Sequence, residues 1–174
     1  GDKLKAGDHI ILIESSGIHA NGVTTIREQI VSKLPQGYLT PLPNGKTLAE
    51  ALFKKTHIYA ALQQAFFEQG VDLHYETHIS GHGWRKLMRA QRDFTYRLHV
   101  IPPPPDEFRL IQETGKFTAE QMYAAFNMGA GFAFYVPGEQ AVLVQEIARN
   151  LGYQSWDAGI VKEGSRQVII EPKG

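Results

Sequence analysis

The sequence predicts a sheet covered by helices, in an α/β or α+β arrangement, rather than a bundle or a sandwich. Strand-like apolar runs that end in Gly, Pro or Ser alternate along the chain with segments of helical period, the pattern of helices laid on a sheet. The length of 174 residues, 43% of them hydrophobic, is enough to bury one sizeable core and is close to that of one ordinary domain. There is no internal repeat, so a single globular unit is expected over residues 1–174.

From His9 to Glu14 a run of Ile and Leu ends in Ser15-Ser16-Gly17, as a buried strand does when it stops at a turn. Val23, Ile26, Ile30 and Leu34 follow at helical spacing, and Pro35 and Gly37 close that helix. Pro41, Pro43, Asn44 and Gly45 make a surface connection. Beyond it a short helix is expected over Leu48 to Phe53 and a longer, largely buried one over Ile58 to Gln69, stopped by Gly70. Val71 to Ile79 alternates loosely as a strand and runs into Ser80-Gly81-His82-Gly83, where a second glycine loop opens a basic helical stretch containing Trp84, Leu87 and Met88. Phe94 to Ile101 is a further strand candidate, stopped by Pro102 to Pro105, which cannot donate to a ladder and favour an extended spacer. Phe108 to Glu113 and Ala119 to Phe126 read as helices, and Gly131 to Val136 as a buried strand. Glu139 to Leu151 carries Val142, Leu143, Ile147 and Leu151 at helical spacing, and strands over Trp156 to Val161 and Gln167 to Glu171 finish the domain.

Charge and composition narrow the function. Lys plus Arg total 18 and Asp plus Glu total 18, so no overall field draws the chain to a nucleic acid polymer or an anionic membrane, and any bound anion must be held locally. Without cysteine there is no disulfide, thiolate metal site or cysteine nucleophile, which fits a reducing cytoplasm. The apolar runs are too short to cross a bilayer. Gly1 to Gly7 has neither an initiator Met nor an apolar signal core, so the expectation is a cut chain rather than a targeting peptide.

Three loops carry chemistry-bearing residues. Ser15-Ser16-Gly17-Ile18-His19-Ala20-Asn21-Gly22 lies between a strand and a helix, where backbone N–H groups and a helix N-terminus hold an anion without net charge. His19 can donate or transfer a proton, and Asn21 offers both donor and acceptor. The same residues also suit a capped turn, with Asn21 or Ser16 capping the helix and His19 packed on the surface. His78-Ile79-Ser80-Gly81-His82-Gly83 repeats the logic, with Arg85, Lys86 and Arg89 behind it either to neutralise phosphate or to form a solvated face. His74, His78 and His82 recur every four residues, but the glycines and the strand break a helical ligand face, so no metal site is assigned. In Phe126-Asn127-Met128-Gly129-Ala130-Gly131-Phe132 the glycines precede a strand, which excludes a dinucleotide fingerprint; Asn127 either ties that turn or reaches a ligand. No Ser-His-Asp, paired-carboxylate or P-loop signature is present.

Taken in order, S-S-G-I-H-A-N-G at 15–22, T-H-I-Y at 56–59, H-I-S-G-H-G at 78–83 and M-Y-A-A-F-N-M-G-A-G at 122–131 resemble the C-terminal domain of aminoimidazole ribonucleotide synthetase, over nearly the whole chain. The resemblance implies a three-layer α/β/α domain with a mixed sheet. It also implies a separate N-terminal domain, absent here, that binds most of the ATP and forms a homodimer. The family activates the formyl oxygen of formylglycinamidine ribonucleotide with ATP as a phosphate ester, after which an amidine nitrogen attacks and closes the imidazole ring. By resemblance, His19 and Asn21 are the catalytic candidates, and Ser16, Gly17, Gly22, Ser80, Gly81, Gly83 and Asn127 the substrate- and phosphate-binding ones. ATP and Mg2+ are expected in the full-length enzyme and none bound by this piece alone, which is expected to be inactive. The chain departs from the family pattern at Ala20, where Ser is usual, at His57, where Arg is usual, and at His82, which interrupts a glycine triplet. These departures keep two alternatives open: a divergent ATP-dependent relative with another substrate, and a catalytically silent ligand-binding relative.

Overall fold

The computed structural model describes residues 1–171. Its strands β1 (His9–Glu14), β2 (Tyr75–His78), β3 (Phe94–Leu98), β4 (Ala130–Val136), β5 (Ser155–Glu163) and β6 (Gln167–Ile170) form one sheet in the order β2-β4-β1-β5-β3-β6. Every neighbouring pair is antiparallel except β3 with β6, so the sheet is mixed. The helices are α1 (Val23–Thr25, continuing through a π turn at Ile26–Ile30 and a 3-10 turn at Val31–Lys33), α2 (Leu48–Leu52), α3 (Ala60–Glu68), α4 (Asp106–Gly115), α5 (Ala119–Ala125) and α6 (Ala141–Asn150).

Three layers follow from the period of two along the central strands. On β1, Ile10 and Leu12 face a core shared with Ile26, Ile30, Trp84, Phe108 and Met122, whereas Ile11 and Ile13 face a second core shared with Leu62, Phe66, Val144 and Ile147. β4 splits the same way, with Ala133 and Tyr135 in the first core and Phe134 and Val136 in the second. A strand flanked on both faces reads as an unbroken apolar run, as His9–Glu14 does. Burying each of Ile10 to Ile13 stabilises the fold by about 1.5–3 kcal/mol.

The departures from expectation have local causes. The helix expected from Val23 to Leu34 is irregular: Val23, Thr24, Thr25 and Ile26 are all β-branched, which crowds the preceding turn, and a π turn replaces the regular ladder. The basic stretch after Gly83 is a 3-10 helix, Gly83–Met88, rather than an α-helix. The segment over Ile58 to Gln69 is not largely buried: α3 hides only Leu62 and Phe66 and leaves Phe67 82% exposed, and Ile58 ahead of it is 68% exposed. β2 covers only Tyr75–His78 of the expected Val71 to Ile79; His74, just ahead of it, is buried in a pair with Asp8 at 2.8 Å.

Candidate functional site

Strand direction brings the three loops together. β1 and β4 are antiparallel with Glu14 opposite Ala130, and β2 and β4 are antiparallel with His78 opposite Phe132. The loop leaving β1, the loop leaving β2 and the turn entering β4 therefore share one end of the sheet. Backbone bonds close the junction, Ser15 N–H donating to Gly129 O at 2.8 Å and Ile79 N–H to Gly131 O at 2.9 Å.

Asn127 holds this junction. It is 0% exposed; its Nδ2 donates to Gly17 O (2.8 Å) and Ile18 O (3.1 Å), and its Oδ1 accepts from Ser15 Oγ (3.0 Å) and Gly129 N–H (3.0 Å). The Trp84 indole N–H donates to Asn127 O at 2.8 Å. Of the two roles open to it, tying the turn is the one this geometry provides. Gly131 is needed beside it, because a Cβ there would lie 2.0 Å from Tyr59 Oη and 2.7 Å from His19 Cε1.

His19 is 8% exposed and sits at φ 58°, in the left-handed region. Ser16 N–H donates to its Nε2 at 3.2 Å, so the neutral ring carries its proton on Nδ1, and Nδ1 is buried without a partner among the described residues. Burial first, then the nearby His78 and His57 rings, lower its pKa to about 4. His19 is thus a neutral N–H donor near pH 7 rather than a proton reservoir. Ser16 Oγ is likewise buried without a partner, and the N–H groups of Gly17 and Gly81 make no hydrogen bond among the described residues.

The other candidates divide by role. Asn21 is buried, its Nδ2 reaches only to 3.5 Å from Ile79 O, and its Oδ1 would lie 3.9 Å from a Cβ on Gly81, so it stands between the two glycine loops. Ser80 and Gly83 close their own turn, Gly83 N–H donating to Ser80 O at 2.9 Å. A Cβ on Gly83 would meet Tyr123 O at 2.3 Å, and one on Gly22 would meet Phe126 Cε1 at 2.3 Å, so both glycines serve close packing in this structure. His82 adopts φ 77° with its side chain exposed, keeping a glycine-like backbone at the position that breaks the triplet.

Two residues outside the initial assignment complete the cluster. The Tyr59 hydroxyl donates to Glu14 O at 2.7 Å, and its ring lies 6.4 Å from His19 and 6.2 Å from His78, with His78 in turn 6.0 Å from His19. Burial raises the Tyr59 pKa, and burial followed by Lys86 lowers that of His78. His57 sits edge-on to Tyr153 at 5.3 Å, at the outer side of the cluster. The T-H-I-Y and H-I-S-G-H-G motifs contained both Tyr59 and His78, but nothing in their spacing aims either ring at His19.

Glu107 lies beneath the first loop. It is 0% exposed with both carboxyl oxygens unpartnered among the described residues, and Oε1 would lie 3.2 Å from a Cβ on Gly17. Burial raises its pKa, only partly offset by its own backbone N–H and by Lys54. An acid that holds its proton more tightly when folded favours folding below its unfolded pKa, and that advantage is lost as pH rises through the folded value. Glu107→Met should therefore melt higher than the natural chain at pH 7, by about 1–3 kcal/mol, with the difference shrinking toward pH 4. An equal or lower melting temperature for the variant at pH 7 would contradict this account of Glu107.

The cluster offers neutral donors and free backbone N–H groups in a shielded position, which suits binding and polarising an anionic oxygen. Among the described residues no group of three or more His, Cys, Asp or Glu could hold a metal ion. No helix among the described residues is long and apolar enough to cross a membrane.

Comparison with known proteins then decides the family: residues 5–171 match the model for AIR synthase related protein, C-terminal domain. The chain belongs to this family. As an AIR synthase related domain it is 33% identical over 172 residues to the phosphoribosylformylglycinamidine cyclo-ligase of Methanothermobacter thermautotrophicus, covering 98% of the chain and 50% of that protein. It is 34% identical over 175 residues to the cyclo-ligase of Methanopyrus kandleri, covering 100% of the chain and 49% of the relative. The chain thus spans about half the length of the curated relatives it matches. Thiamine-monophosphate kinase from Stenotrophomonas maltophilia shares the fold of this AIR synthase related domain, with a TM-score of 0.63 at 16% identity over 96% of the chain and 51% of the kinase.

Proposed function

We propose that this domain is half of the active site of a cyclo-ligase that closes the imidazole ring of formylglycinamidine ribonucleotide at the expense of ATP, in purine biosynthesis. The observation that carries the proposal is the unpartnered Nδ1–H of a neutral His19, held between two glycine loops in a chain whose relatives bear that activity in name. In the reaction ATP phosphorylates the formyl oxygen, an amidine nitrogen attacks the formyl carbon, and phosphate departs as the ring closes. A neutral N–H donor suits the first step, because it stabilises charge on oxygen without protonating it. Asn21 orients the ribonucleotide between the loops, and the N–H groups of Gly17 and Gly81 receive phosphate. Ser16 Oγ lends a further donor, while Gly22, Ser80, Gly83 and Asn127 set the shape of the cradle. Mg2+ and most of the ATP are assigned to an N-terminal domain of a homodimeric, cytoplasmic parent.

The test is conversion of formylglycinamidine ribonucleotide to aminoimidazole ribonucleotide by the full-length parent. The reading expects product and ADP in equal amounts from the parent and none from residues 1–174 alone. A folded, ATP-binding parent that makes no product overturns it and favours the second reading, a relative with another substrate, to which His57 and the left-handed His82 point.

A further inference from the structure

β6 ends the sheet beside β3, and among the described residues no strand pairs with its other side. Glu171 N–H donates to Leu98 O at 2.7 Å, and in a parallel ladder alternate residues bond to the neighbour, so the N–H and C=O groups of Val168 and Ile170 point to the open edge. Folded proteins usually blunt such an edge with charge, proline or a bulge. The opposite edge strand, β2, carries Glu76 and His78, whereas Gln167-Val168-Ile169-Ile170 holds no charge and no proline and keeps an unbroken register with β3. A groove of about 660 Å³ runs between β6 and α5, lined by Val168 and Ile170 from the strand and by Ala119, Tyr123 and Ala124 from the helix. A slot between an edge strand and a helix takes an extended peptide, whose backbone pairs with the strand while alternate side chains enter the groove.

Charge selects the occupant. Arg85 and Arg166 also line the groove, neither in an ion pair among the described residues, and Glu120 is the single acid among the lining residues. A second copy of the chain paired edge to edge through β6 would bring the same two cations to the interface again, whereas acidic side chains answer them. We propose that this slot docks an extended acidic segment of a partner protein, which adds a strand to β6 and lays its apolar side chains against Val168, Ile170 and Tyr123. The four residues of β6 span about 13 Å, enough to pair with roughly four residues of such a segment. Docking here does not rest on the cyclo-ligase reading, since none of the slot residues belongs to the His19 cluster.

The test is an NMR titration of the isotope-labelled chain with a short capped peptide that alternates valine and aspartate. The Val168 and Ile170 amide signals should shift saturably, and their exchange with solvent should slow. The same peptide with lysine in place of aspartate, and one N-methylated at its pairing positions, should each need at least about tenfold higher concentration, the first for lack of opposite charge and the second for lack of backbone donors. Arg85 is exposed, so Arg85→Glu leaves the fold intact, and it should weaken the acidic peptide at least about tenfold. The proposal is overturned if the acidic peptide gives no saturable shift at Val168 and Ile170, if the N-methylated peptide binds as well, or if Arg85→Glu binds the acidic peptide as tightly as the parent chain. Shifts of these two amides that depend on protein concentration without peptide would place a second copy of the chain on the edge, and would overturn it as well.

Discussion

Asn127→Ala is expected to lower the stability of the domain by about 3–4 kcal/mol, a fall of roughly 6–16 °C in melting temperature for a chain of this size. The side chain is fully buried and makes four hydrogen bonds, to Gly17 O, Ile18 O, Ser15 Oγ and Gly129 N–H. Truncation removes all of them and leaves the partners in a space closed to water, which makes loss of a buried amide more costly than loss of an exposed one. Asn127→Asp is nearly the same shape but places a carboxylate oxygen against two backbone carbonyl oxygens, so it should be no milder. Thermal melts of the two variants beside the parent chain check this, and a loss under about 1 kcal/mol would show that the loop is held by something other than Asn127. Loosening this tie should also displace His19, because Gly17 and Ile18 lead directly into it.

The apolar run at His9–Glu14, the glycine punctuation and the order of the helices were readable from residue type, because burial and turn chemistry are local. The meeting of the three loops was not. Alternation of strands and helices does not say which way β4 runs, and it is the antiparallel pairing of β4 with both β1 and β2 that puts Ala130, Glu14 and His78 at one end. The irregularity of α1 was visible only as a run of β-branched residues whose period still matched a helix. His19 was legible as a loop histidine, but its neutral state depends on burial and on His78 and His57, which come from elsewhere in the chain. Glu107 escaped notice altogether, since acids such as Asp106 and Glu107 after a proline run are ordinary on a helix N-terminus and only packing shows that Glu107 lies under Gly17. For Asn127, sequence offered two roles and the count of its hydrogen bonds separates them.

The second large effect concerns His19 itself. If His19 plays the proposed role, donating to an oxygen that gains charge during ring closure, it contributes mainly to the transition state, so its removal should lower kcat/KM by roughly 100- to 1000-fold with a smaller change in KM. Because its pKa is lowered to about 4, the ring stays neutral from pH 5 upward, and the natural enzyme should show no loss of rate between pH 6 and 7 from protonation of His19. The most direct measurement is therefore kcat/KM for ATP-dependent ring closure by the full-length parent and its His19→Ala variant, across pH 5.5 to 8.5, with melting followed alongside. The account predicts a folded variant at least about 100 times slower, at every pH. A folded variant with unchanged kcat/KM would contradict it and remove His19 from the reaction.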